Sequence, residues 1–133
     1  MRATDALVAG IRRQLRRDTP SLVDFALEMM RIPTENPPGA AYARCARLIA
    51  SRLRELGLST RVVDPTGSGP SVVGTFGDGK RALYFSGHYD VVPAQAYGPG
   101  LLSVSHGPSE FVSVPRLVEC AEVYARAAVR LLS

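Results

Sequence analysis

Between Leu58 and Gly87 the spacing of the apolar residues changes, and this change limits the fold more than any other feature of the chain. Upstream, Leu22, Phe25, Ala26 and Met29 recur at helical intervals, as do Tyr42, Cys45, Ala46, Ile49, Leu53 and Leu56. Downstream, Leu117, Ala121, Tyr124, Ala128 and Leu131 do the same. Between them lie short runs of strand type: STRVVD, SVVGTFG and ALYFSG, divided by PTGSGP and GDGK. Helices before and after a small sheet indicate an α/β layered domain. The length of 133 residues suits one domain spanning 1–133, with a modest core.

The boundaries follow from the punctuation. A first helix is expected over Thr4–Arg17, ended by Thr19-Pro20, which caps a second. The second ends before the proline-rich IPTENPPG. A third covers Ala40–Leu56, with Gly57 as its C-terminal cap. Asp78-Gly79 reads as a hairpin turn. ALYFSG is apolar on both faces and is expected inside the sheet, and LLSVS offers a fourth strand. The last helix starts near Pro115. The expected architecture is therefore a small mixed sheet of three to four strands flanked by helices.

The net charge is +4, and of the 16 basic residues only Lys80 is not arginine. Arg12, Arg13, Arg16 and Arg17 stack at i, i+4 on one helix face. A solvated face is the preferred reading over a nucleic-acid or membrane surface, since no aromatic residues interleave the arginines and no nucleic-acid motif accompanies them. Cys45 and Cys120 form no C-x-x-C pair and read as core thiols in a reducing compartment. No apolar stretch approaches membrane-spanning length and the N-terminus has no secretory pattern, so the expected location is the cytoplasm.

Chemistry concentrates in SGHYDVVPAQ. His88 and Asp90 lie two apart on an expected extended segment, so their side chains face the same way. A carboxylate that accepts one ring N–H fixes the imidazole tautomer and aims the other nitrogen at a metal. The second element is SHGPSEFV, where the rigid Gly107-Pro108 turn holds His106 and places Glu110 four residues on. Glu110 reads either as a further ligand, as a group that orients an amide substrate, or as a helix-entry residue favouring the positive helix terminus.

Taken together, RIPTENPPG, LRELGL, TRVVD, SVVGTFGDG, GHYDVVPA, GPG and SHGPSEFV resemble, in this order, the family of acetylornithine deacetylase, succinyl-diaminopimelate desuccinylase, aminoacylase and carboxypeptidase G. That resemblance covers nearly the whole chain. It implies a zinc-exopeptidase-like catalytic domain and metal-dependent hydrolysis of an N-acyl amino acid or peptide amide with two zinc ions. By the same resemblance His88 ligates one zinc, Asp90 orients His88, and His106 ligates the other zinc.

The family carries a long segment between these histidine motifs, with the bridging aspartate, the general-base glutamate, further acidic ligands and a lid domain. Here fewer than twenty residues separate His88 from His106, and AQAYGPGLLSVS holds no Asp, Glu, His or Cys. The resemblance thus implies a large internal deletion with its junction near 95–97. Two histidines and Glu110 fall short of a dinuclear site, which needs bridging carboxylates. At most one weakly bound zinc is expected. Loss of the general base alone lowers water activation by roughly 10²–10⁴-fold. The alternative is a non-catalytic remnant or scaffold that binds a metal or a partner chain. Glu35 is the one other carboxylate considered near the site, and a homodimer through an exposed sheet edge is the expected assembly.

Overall fold

The computed structural model describes residues 2–91 and 113–132, with side chains described for 5–91 and 113–131. The architecture is mixed α and β: three helices and one two-stranded antiparallel sheet. The described residues fall into two compact units. One comprises residues 2–27, 81–86 and 113–132, the other 28–80 and 87–91.

Helix α1 runs over Arg2–Met30 without a break at Thr19-Pro20, where the sequence predicts two helices. Pro20 lacks the N–H that would bond the Arg16 carbonyl, yet it lies on the exposed side, where water can serve that carbonyl. The half-buried positions Val8, Ile11, Leu15, Thr19, Leu22, Ala26 and Met29 stay in one helical phase across the proline. Thr19 does not cap a new helix. Its hydroxyl donates to the Leu15 carbonyl at 2.9 Å, one turn back.

The first unit also contains helix α3, Val114–Leu132, which begins beside Pro115 as expected. Glu122 of α3 accepts from Arg12 of α1 and, at 3.0 Å, from Arg126 one turn on. Arg12 thus belongs to an ion-pair cluster, and like Arg13, Arg16 and Arg17 it is solvent-exposed.

The second unit is built on helix α2, Tyr42–Glu55, packed on strands β1, Ser59–Val63, and β2, Ser71–Thr75. The strands pair from Ser59 opposite Thr75 to Val63 opposite Ser71. PTGSGP forms the connecting bends, in which the Gly69 N–H donates to the Asp64 carboxylate at 3.3 Å. The end of α2 matches the expectation at Gly57, which takes φ 84. Gly57 donates to the Arg54 carbonyl at 2.9 Å and Leu58 to that of Leu53 at 3.0 Å, a Schellman closure. The side chains of Leu53 and Leu58 then meet over Gly74 of β2, filling the space where a Cβ would stand. The core is small: Ile32, Cys45, Ala46 and Ala50 are its buried apolar residues among those described. The small side chains on this face of α2 suit close packing on the sheet.

Two expectations for the sheet fail. Residues 82–90 have no strand assignment, and residues 76–80 form no hairpin turn between strands. A strand apolar on both faces requires cover on both, and Tyr84 and Phe85 are 88% and 59% exposed. Phe85 instead meets Tyr124 of α3 edge-on, with centroids 5.3 Å apart. The sheet therefore has two strands among the described residues rather than three or four. LLSVS lies outside the described residues. No helix among those described is long and apolar enough to cross a membrane.

Candidate functional site around His88 and Asp90

His88 and Asp90 are positioned by a different element from the one the sequence suggests. The expected scaffold was the end of a strand ALYFSG. In the structure the scaffold is the segment Thr34–Asn36, which the proline content marks only as a helix breaker. This segment lies parallel to residues 89–91 and forms a single β-bridge, Glu35 with Val91. The Val91 N–H donates to the Thr34 carbonyl at 3.0 Å, and the Asn36 N–H donates to the Val91 carbonyl at 2.8 Å. Thr34, 3% exposed, adds a side-chain bond from its hydroxyl to the Tyr89 carbonyl at 2.7 Å. A buried hydroxyl without a partner would be costly, and here it joins the two segments.

Tyr89 anchors the same stretch from its other end. Its phenol donates to the Pro70 carbonyl, and its ring stands edge-on to Tyr42, 5.6 Å away at 87°. Tyr42 packs against Gly39 and Gly69, where a Cβ would lie 3.0 and 2.8 Å from its ring. Burial, and then the Asp90 charge, push the Tyr42 phenol pKa above its ordinary value. Burial also raises the Cys45 thiol, which makes Cys45 a core thiol and a poor nucleophile.

Held this way, His88 and Asp90 make the contact expected of them. His88 Nδ1 lies 3.0 Å from Asp90 Oδ1 and 3.1 Å from the Asp90 backbone carbonyl. The second carboxylate oxygen, Oδ2, accepts from Asn36 Nδ2 at 3.3 Å. That Asn36 bond is the largest influence holding the Asp90 carboxyl below the usual aspartate range. Partial burial opposes it, and the His88 contact adds to the lowering. The imidazole is 57% exposed and the carboxylate 35%, so the pair sits at the surface.

The remaining site residues are distributed as follows. His106 and Glu110 lie outside the described residues, as does the region of the expected junction. Glu35 contributes its backbone to the bridge, while the Asn36 side chain, not that of Glu35, reaches Asp90. Alternation along an extended segment explains this, since neighbours point to opposite sides. Among the described residues no group of three or more His, Cys, Asp or Glu side chains is placed to hold a metal ion. Asn36, Thr34 and Tyr89 were not singled out from sequence. Their available signal was the T-x-N spacing inside IPTENPPG, which sets two polar side chains on one side of an extended stretch.

The arrangement can hold one oriented imidazole. A zinc ion usually takes three or four protein ligands, so His88 fits one position of such a site. No family model matches the chain, and no curated protein or solved structure matches it.

Proposed function

We propose that the chain carries one half of a metal-dependent amide hydrolase site and holds a zinc ion weakly through His88, with little or no turnover by itself. The observation that supports this is the Asn36–Asp90–His88 relay, an imidazole oriented by a carboxylate that is itself hydrogen-bonded. Such outer contacts typically accompany metal-bound histidines. His106 is a proposed further ligand of this single weak site, and Glu110 a proposed ligand or substrate-orienting group. The substrate class is an N-acyl amino acid or small peptide, and the compartment is the reducing cytoplasm, in keeping with the free thiols Cys45 and Cys120.

A second reading, a non-catalytic remnant that binds a metal or a second copy of the chain, is favoured by one further observation. Strands β1 and β2 each leave an outer edge that no described strand pairs with, which suits the docking of another chain.

Calorimetric zinc titration of the wild type and of His88→Ala tests the metal site. Heat in the wild type that vanishes in His88→Ala supports it, and equal heat in both overturns it. Zinc-dependent amide hydrolysis lost in both His88→Ala and His106→Ala separates an enzyme from a remnant.

A further inference from the structure

We infer that Asn36 is a positioning residue, whose grip on Asp90 decides which nitrogen of His88 faces a ligand. The inference deepens the metal-site reading and rests on it for its purpose, but the geometry belongs to the metal-free chain.

Among the described residues, Oδ1 of Asp90 at 3.0 Å and the Asp90 carbonyl at 3.1 Å face His88 Nδ1. A carbonyl only accepts, and an ionised carboxylate only accepts, so Nδ1 carries the proton. The neutral ring then has its lone pair on Nε2. Oδ1 is the nearer and the charged of these acceptors, so the preference for this tautomer weakens when Oδ1 moves away. The terminal torsion of an aspartate is broad, and a carboxylate that is 35% exposed is open to competition from water.

Asn36 restrains that torsion. Its Nδ2 holds Oδ2 at 3.3 Å, leaving Oδ1 for the ring. Asn36 is in turn fixed by its own N–H on the Val91 carbonyl, one residue beyond Asp90. The carboxylate is thus held by His88 on one oxygen and by Asn36 on the other, and the Asn36 backbone is fixed by the Glu35–Val91 bridge. A neutral amide suits this role. It donates a hydrogen bond without cancelling the negative charge, so the carboxylate keeps its pull on the imidazole N–H. With one oxygen on the ring and one on the amide, Asp90 orients a ligand rather than serving as one.

The test reads the His88 tautomer in the metal-free full chain by long-range nitrogen–proton NMR, at an alkaline pH above which the spectrum no longer changes. The chain has two histidines, and the spectrum of His106→Ala assigns the signals. In the wild type the Nδ1–H form should exceed the Nε2–H form about tenfold, the value of one good hydrogen bond. In Asn36→Ala, which keeps the backbone bond to Val91, the excess should fall to about threefold or less. Asn36→Asp, where two carboxylates repel, should lower it at least as far, and it carries the test alone if Asn36→Ala does not fold. Thr34→Val removes only the side-chain bond to the Tyr89 carbonyl, keeps the backbone bonds of the bridge and should stay near the wild-type ratio. An unchanged ratio in the folded Asn36 variants, or an equal shift in Thr34→Val, overturns the inference. Zinc is absent throughout, so a failed zinc titration and a failed tautomer shift are separate results.

Discussion

The Thr34 hydroxyl donates to the Tyr89 carbonyl at 2.7 Å and joins stretches of chain 55 residues apart. Thr34 is buried, so its hydroxyl and that carbonyl have exchanged water for each other. Thr34→Val keeps the shape and deletes the donor, leaving the carbonyl unsatisfied. The expected loss is about 1–3 kcal/mol in urea unfolding. A midpoint within error of the wild type would show that water replaces the hydroxyl at no cost.

Two glycines with positive φ separate backbone strain from steric clash. Gly57 has φ 84 and open space around its missing Cβ, so Gly57→Ala should lose only about 1–2 kcal/mol from the left-handed conformation. Gly69 has φ 147, and its Cβ would stand 2.8 Å from the Tyr42 ring. Gly69→Ala should therefore cost about 1–3 kcal/mol more, as the ring is driven off its seat against Tyr89. Thermal unfolding of the two variants side by side checks the order. Equal losses would mean that Tyr42 moves aside freely.

The same residues show what could be read from sequence. Gly57 was legible because a helix end requires a left-handed residue and the apolar stripe stops just before it. Strands β1 and β2 were legible from composition and turns. The contact of His88 with Asp90 was legible from the two-residue period of an extended chain. Helix α1 was misread because Pro20 is a strong local signal, whereas the unbroken phase from Val8 to Met29 extends over far more residues. ALYFSG was misread because strand propensity says nothing about whether a neighbouring strand exists. Asn36 went unnoticed because its partner lies 54 residues away and nothing local requires the pairing.

Glu122 accepts from both Arg12 and Arg126, and the two arginine side chains are about half exposed. Solvent screening keeps such clusters weak. Glu122→Gln should lower stability by less than about 1 kcal/mol, and the difference should fade with added salt. A larger, salt-independent loss would mark the cluster as structurally dominant.

Strands β1 and β2 each have an outer edge that no described strand pairs with. Isolated two-stranded sheets are marginal, and open edges invite a second copy. We expect self-association by edge pairing, seen as a sedimentation coefficient that rises with loading concentration. A constant, monomeric coefficient across that range would exclude it.

The Asp90 carboxyl is held below its ordinary range, first by Asn36 and then by His88, against the opposing effect of partial burial. The folded state therefore binds this proton less tightly than the unfolded chain, whose aspartates titrate near about 3.9. Between those two values the unfolded state carries more protons, so stability rises with pH there. The contribution is fully present above the unfolded value and disappears as pH falls through the lowered folded one. Asp90→Asn has no such proton to exchange. The stability gap between wild type and Asp90→Asn should thus be constant near neutrality and narrow as acid titrates the carboxylate. Chemical unfolding of both proteins along a pH series measures the gap directly. A gap that stays constant into the acid range would mean that the Asn36 and His88 contacts do not favour the charged form.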